Sequence, residues 1–375
     1  MKDLQIDRDY LVSTLRALLA IPSPSGMTDS IVGHICRELD ALGIRYELTR
    51  RGAIRADLKG KRSSPDRAIA AHLDTLGAMV KGYFPNGRLE LVPIGTWSAR
   101  FAEGARATVF VDGGRQIRGT ILPLKASGHV YNTEIDTQPI AWTNLELRID
   151  ERVASEADAR ALGIQVGDTV AIDPAPEFTE NGFVSSRHLD DKAGVAAALA
   201  AARAIAREGV ELVMDCHLLF TISEEVGVGA SHILHGDAAE LVSIDNGTVA
   251  PRQYTSEYGV TVAMQDSSGP FDWHLSRRLC ELCERYDIEH SRDVFRYYRS
   301  DAASALEAGN DIRTALVCFA LDSSHGYERT HVDSLHALAR LLVLYMQSPP
   351  LFERDTEAIG PVGDLPAARA PSGRH

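Results

Sequence analysis

Residues 68–77 read AIAAHLDTLG and residues 218–231 read LLFTISEEVGVGAS. Each is a short apolar run that breaks off into polar residues, His72 and Asp74 in the first, Glu224 and Glu225 in the second. A short apolar run bounded by turn signals reads as a fully buried strand. In open α/β sheets, sites form outside the carboxyl ends of such strands. Three further segments belong with these two. SSRHLDDKAG (185–194) carries Asp190 and Asp191 just before an alanine-rich helical stretch. LVSIDNGT (241–248) carries Asp245, and ALVCFALDSSHGYERTH (315–331) carries His325 and Glu328. Four of the five clusters follow a strand, so all five can meet at one edge of a sheet.

Working outward, apolar residues at helical spacing predict helices over 7–20 and 29–42. Pro22 stops the first, and Gly43 suits the position just past the second. Strands are expected at 44–48, 54–58 and 68–72. From 78 to 171 the character changes to short strands punctuated by Asn86–Gly87, Gly113–Gly114 and Gly128, which predicts a small β-barrel or sandwich, with a short helix at 155–162. The α/β pattern then resumes with helices at 193–207, 273–286, 300–309 and 332–346. Strands are expected at 213–222, 241–244 and 314–320. The expected organisation is an α/β domain formed by 1–77 and 172–348, an all-β insert at 78–171, and a polar, Pro- and Gly-containing tail at 349–375 expected to be mostly disordered.

The 375 residues carry a formal net charge of −13, with 45% hydrophobic and 24% charged residues. That balance reads as an ordinary globular chain. It argues against a nucleic-acid partner, which needs basic surface to neutralise phosphates. The charged N-terminus has no apolar signal-peptide core, and the chain has no run of about 18 apolar residues to span a bilayer. Five irregularly spaced cysteines do not form a disulfide framework, so a reducing, cytoplasmic setting is expected. Cys280 and Cys283 form a C-x-x-C, but with no second ligand pair nearby they read as helix packing.

Two histidines and several carboxylates at one sheet edge suit a pair of divalent metals. In H-x-D, residues two apart on an extended segment face the same way. Asp74 is therefore placed to orient His72, or another ligand through a different group, since a ligating histidine usually leans on an outer carboxylate. Glu224 and Glu225 are adjacent, so their side chains diverge: one can bind metal while the other faces water as a general base. Each motif alone is weak: H-x-D and paired glutamates are common structural features, and Asp245-Asn246-Gly247 is also a turn signal.

Taken in this order, the motifs resemble those of the M42 family of metallopeptidases, and the resemblance runs to the closing helix. GTWSARFAEGARATVFVDGGRQIRGTIL (95–122) and KASGH (125–129) resemble the family's insert. The resemblance implies a mixed central sheet flanked by helices, a PDZ-like or barrel insert, and an aminopeptidase acting on short peptides. It implies two metal ions, zinc or cobalt or else manganese. His72, Asp190 and Asp245 would hold one, and Asp190, Glu225 and His325 the other. Glu224 would be the general base and Asp74 the orienting aspartate. It also implies a homo-oligomer, from a dimer up to a twelve-subunit shell built through the insert, with Phe101, Ile121, Trp142 and Leu145 as interface candidates.

The sequence departs from the family pattern in places. Thr75 stands where a glutamate is common, Asp191 and Lys192 replace a common Asn and Arg, and His325 lacks the usual Arg-Tyr before it. That leaves His331 as a rival ligand. Arg299-Ser300-Asp301-Ala302 resembles a family turn that puts Asp301 near the site. The HGYERTH segment (325–331) resembles a subgroup linked to the osmolyte N-acetylglutaminylglutamine amide, so a small capped dipeptide is an alternative substrate. A deacylase or other amidohydrolase would need an anion clamp, for which Arg187, Lys192 and Arg299 are candidates. A non-catalytic metal-binding homologue is the third reading.

Overall fold

The structure is a computed structural model that describes residues 1–356. Of the tail expected at 349–375, residues 357–375 lie outside the described residues. The strands, in chain order, begin with β1 (Arg45–Leu48), β2 (Ile54–Leu58) and β3 (Asp66–His72). Six follow in the insert: β4 (Gly77–Tyr83), β5 (Leu89–Ile94), β6 (Arg106–Phe110), β7 (Gln116–Pro123), β8 (Leu145–Ile149) and β9 (Thr169–Ile172). After it come β10 (Glu177–Phe178), β11 (Phe183–Ser186), β12 (Cys216–Thr221), β13 (Ala238–Thr248) and β14 (Val260–Asp266). The last are β15 (Gly269–Pro270), β16 (His290–Val294), β17 (Arg313–Leu321) and β18 (Glu328–His331).

Nine strands form a mixed sheet in the order β1-β2-β12-β3-β13-β17-β14-β15, with β16 paired to β14. The centre, β12-β3-β13-β17, is parallel, so these four carboxyl ends share one edge. On that edge His72 lies beside Thr221, and Asp245 beside Cys318. β3 and β12 are buried along their full length, as strands covered by helices on both faces must be.

Helices Arg8–Leu19, Leu189–Glu208 and Val332–Gln347 pack together, and the last two lie against the sheet. Leu189–Glu208 is built largely of alanine and is buried on nearly every side. Small side chains let it press close to the sheet. At Gly194 an added Cβ would overlap Asp191 Oδ1 and Ile244 Cγ2. Gly43 takes the left-handed conformation (φ 67°) that ends helix Asp29–Leu42, as its position predicts.

The insert closes into a barrel in the order β4-β5-β8-β7-β6-β9. Its core, which includes Val80, Leu89, Val109, Ile121, Leu145 and Leu147, is separate from the main one. β7 alternates exposed and buried residues, with its apolar side inward.

Several elements differ from the sequence expectation. The strand expected at 241–244 runs to Thr248, so Asp245-Asn246-Gly247 is extended chain and not a turn. The alanine-rich helix begins at Leu189, with Asp190 and Asp191 in a first turn whose backbone is not helical. β10, β11, β14, β15, β16 and β18 were not expected. β16 (HSRDV) is an edge strand, and its polarity hides it from a hydrophobicity reading.

Candidate active site

The carboxyl ends of the central strands bring the seven expected residues together. His72 closes β3, fully buried. Its Nε2 lies 3.1 Å from Asp190 Oδ1 and 3.8 Å from Glu224 Oε2. His325 lies in the loop after β17, with Nε2 3.6 Å from both Asp190 Oδ2 and Glu225 Oε2. Asp190 therefore turns one oxygen to each imidazole. Ligand atoms of His72, Asp190 and Glu225 lie within 4.8 Å of one another, and so do those of His72, Glu224 and Asp245.

Asp74 acts in two ways. Its backbone carbonyl lies 2.9 Å from His72 Nδ1 and fixes the ring. Its carboxylate accepts from the backbone N–H of Glu224 (3.1 Å) and of Glu225 (3.3 Å), and from the Ser25 hydroxyl (2.5 Å). So the carboxylate holds the Glu224–Glu225 backbone, and the carbonyl performs the ring-orienting task expected of the side chain.

Some residues around the site have a part that the sequence did not assign to them. Asn246, read there as part of a turn signal, donates from Nδ2 to Asp190 Oδ2 (2.9 Å) and Asp245 Oδ1 (3.0 Å). Asp191 accepts the His72 backbone N–H (3.2 Å). Glu328 accepts from the backbone N–H groups of His325 (2.9 Å) and Leu189 (2.7 Å), tying the His325 loop to the start of the helix that carries Asp190. The Thr96 carbonyl, from the barrel, lies 2.9 Å from His325 Nδ1. A backbone carbonyl leaves no side-chain signal. Asn246 had one, its place directly after Asp245 at a strand end.

The rival ligand is accounted for elsewhere. His331 Nε2 lies 2.9 Å from the Asn181 carbonyl, and its Nδ1 accepts the Asp333 N–H at the start of the closing helix. Asp301 is buried, accepting from Thr221 Oγ1 (2.5 Å) and the Ala230 N–H (2.7 Å). Of the three clamp candidates, Lys192 is buried and donates to the Ile21 carbonyl, and Arg299 pairs with Glu307. Arg187 lines a small cavity with Trp97, Glu225 and His325. Cys280 and Cys283 are buried on helix Trp273–Arg285 and serve packing, with Arg292 Nε on Cys280 Sγ.

The charge balance is uneven. The ion pairs made by Asp190, Glu224 and Glu225 are with the two imidazoles. Burial pushes the Glu225 carboxyl up to about 8. Burial, with Asp190 and other carboxylates near it, holds Asp245 well above the usual range, and burial does the same for Glu224. Burial would also raise Asp190, but His325 and His72 outweigh it and hold that carboxyl low. Burial opposes a proton on His325, yet Asp190 and Glu225 carry it up to about 10. So many buried carboxylates around two imidazoles ask for further positive charge.

An α/β sheet with a histidine–carboxylate cluster at its parallel carboxyl edge, joined to a closed barrel, offers a donor set that fits divalent metal ions. The M42 glutamyl aminopeptidase family model matches residues 52–341. "Putative aminopeptidase YhfE" of Bacillus subtilis is 38% identical over 335 residues, covering 89% of this chain and 96% of that protein. Aminopeptidase APDkam598 from the archaeon Desulfurococcus kamchatkensis superposes with a TM-score of 0.84 at 21% identity, covering 95% of this chain and 99% of that one. The Pyrococcus horikoshii TET1 peptidase, which can assemble into a tetrahedron or a large octahedral shell, gives 0.79 at 23% identity, covering 90% and 99%. The chain belongs to the M42 peptidase family, and it is accordingly a metal-dependent aminopeptidase. Among the described residues no helix is long and apolar enough to cross a membrane.

Proposed function

We propose that the chain removes N-terminal residues from short peptides with two divalent metal ions held at the sheet edge. The carrying observation is that Asp190 presents Oδ1 to His72 and Oδ2 to His325. His72, Asp190 and Asp245 would hold one ion, and Asp190, Glu225 and His325 the other. Nitrogen and carboxylate donors of this kind suit zinc, cobalt or manganese. When bound, such ions lower the pKa of water toward neutrality and polarise a carbonyl.

Glu224 is the group assigned to the proton. The Asp74 carboxylate holds its backbone, and burial raises its carboxyl. It can therefore take a proton from the attacking water and return it to the leaving amine. Glu224→Gln should lower kcat by about 10²–10⁴-fold, the usual worth of a general base, with metal content unchanged by elemental analysis. Near-normal turnover by that variant would remove Glu224 from the role.

Arg187 supports a second reading. Its Nε is buried without a hydrogen bond, and it lines the cavity beside Glu225. A guanidinium there suits an amidohydrolase or deacylase that grips a carboxylate or acyl group, for example in a capped dipeptide such as N-acetylglutaminylglutamine amide. A panel of free-amine, N-acetylated and C-amidated peptides separates the readings: release of N-terminal residues supports the first, and cleavage of the capped dipeptide alone supports the second.

We also propose that residues 1–77 and 172–348 form the catalytic unit, with 78–171 as an assembly unit for a homo-oligomer. The assembly of the Pyrococcus horikoshii relative into a tetrahedron or an octahedral shell supports the homo-oligomer. Of the interface candidates, Ile121 and Leu145 lie in the barrel core and Trp142 packs on Trp97, which leaves the half-buried Phe101. Val92, Val130, Ile140 and Val166 are the large apolar residues exposed on this segment away from that core. The five free thiols fit a reducing, cytoplasmic location.

A further inference from the structure

A second histidine–carboxylate group lies at the opposite end of the same sheet. His217, near the start of β12, stands directly across from Asp57 on β2. Its Nδ1 is 2.7 Å from Asp57 Oδ1. His235, in the loop leading to β13, points Nε2 at the same oxygen from 3.6 Å, and the two rings lie 4.2 Å apart. Asp66, the first residue of β3, places Oδ2 3.2 Å from His217 Nε2. Asp66 and His72 are the two ends of β3. Six steps at about 3.3 Å per residue separate this group from the hydrolytic site by roughly 20 Å.

Two imidazole nitrogens and a carboxylate oxygen thus converge, all within 4.8 Å of one another. In a tetrahedral site with bonds of about 2.0–2.1 Å, ligand atoms sit about 3.3 Å apart, so modest side-chain rotation closes the set. The surroundings favour ligands over a simple ion pair. His217 is about 5% exposed, and its Nε2, although near Asp66, makes no well-aligned hydrogen bond. Asp66 Oδ1 and His235 Nδ1 are also buried without a hydrogen-bond partner. Asp66 stands where an outer carboxylate fixes the ring of a ligating histidine.

The loop that carries His235 is held in place, since Arg55 donates to the carbonyls of His232, Ile233 and Leu234. Asp57 and His235 keep about a quarter of their side chains exposed, which leaves an ion a route in.

We propose that Asp57, His217 and His235 form a separate site for a zinc-like divalent ion, with Asp66 orienting His217 from behind. The ion joins β2, β12 and the loop into β13, and so braces the two strands that carry Glu224–Glu225 and Asp245 at their far ends.

The test is zinc per chain by elemental analysis, after loading the full-length protein and dialysing against zinc-free buffer. The wild type, His235→Ala and Asp66→Asn are compared. His235→Ala should hold one zinc fewer per chain, whatever number the hydrolytic site takes, while peptide hydrolysis stays within about twofold. Asp66→Asn should weaken that one ion by about 10–100-fold, the cost of losing an outer carboxylate. Anomalous scattering at the zinc edge should show a peak among Asp57, His217 and His235. Equal zinc content in the wild type and in folded, active His235→Ala overturns the proposal, as does a zinc-loaded crystal without that peak.

Discussion

The two ends of β3 hold histidines among carboxylates, yet they are balanced differently. At the carboxyl end, His72 and His325 face Asp190, Glu224, Glu225 and Asp245, and burial pushes three of those four carboxyls up. At the amino end, His217 and His235 face only Asp57 and Asp66, and part of that group is open to water. Burial and the histidine partner compete at Asp57, and the His217 contact leaves its carboxyl lowered. With two carboxylates to two imidazoles, the amino end is close to balanced before any ion enters. The carboxyl end, with four buried carboxylates to two imidazoles, is tolerable only with protons or metal added. Chemistry is proposed at the carboxyl end and bracing at the amino end.

The largest expected effect breaks the carboxyl end at its centre. Asp190→Ala removes the one carboxylate that, among the described residues, pairs with both His72 and His325. It should abolish measurable peptide hydrolysis and lower metal affinity by more than the ~10–100-fold that loss of an outer carboxylate costs. Metal titration followed by calorimetry checks this. Retained binding with unchanged stoichiometry would mean that Asp190 does not bridge the two halves of the site.

Stripping the metal comes next. The folded chain holds protons on Glu225 up to about pH 8, whereas an ordinary glutamate releases them near 4.5. The folded state therefore binds more protons than the unfolded state across that interval. The stabilising contribution is complete below about 4.5 and is lost as pH rises through about 8. His325, pushed up to about 10, extends the decline above its ordinary 6.5. Chelator-treated protein should thus melt progressively lower from pH 5 to 8. The metal-loaded protein should be much flatter over the same range. Parallel melting curves for the two would contradict the charge imbalance.

A smaller effect is expected at Glu328. Its carboxylate joins the His325 N–H to the Leu189 N–H. Glu328→Gln keeps the size and one acceptor oxygen, so the loops should stay folded but looser. Metal affinity should fall about 10–100-fold, with kcat at saturating metal changed far less. A kcat loss that added metal does not repair would instead place Glu328 in contact with substrate.

The sequence disclosed these two ends unequally, for physical reasons. His72, Glu225, Asp245 and His325 each follow an apolar run, a pattern that burial of the parallel strands makes visible, and Asp190 stands just before the alanine-rich helix. Asp57, Asp66 and His217 lie within or at the start of strands, and His235 in a loop, so no break in hydrophobicity marks them. The barrel was legible from its evenly spaced turn residues. Its contact with the site was not, because Thr96 contributes a carbonyl. Asn246 was hidden by the turn reading of Asp-Asn-Gly, which lost to the pairing of β13 with β17 through Thr248.

The finest test makes one kind of change at both ends. An added Cβ at Gly194 would overlap Asp191 Oδ1 and Ile244 Cγ2, whereas one at Gly236 would overlap Asp66 Oδ2. Gly236 also adopts a left-handed φ of 69°, which costs an alanine about 1–2 kcal/mol. Overpacking at Gly194 costs a similar ~1–3 kcal/mol. Both variants should lose comparable stability in denaturant titrations, but they should part on activity. Asp191 holds the His72 backbone N–H, so moving Asp191 moves a proposed metal ligand, and Gly194→Ala should lower kcat/KM at least tenfold. Asp66 lies at the far end of the strand, so Gly236→Ala should change kcat/KM by less than about twofold. Equal activity losses would show that strain crosses the sheet from one end to the other, and the two clusters would then have to be treated as one coupled unit.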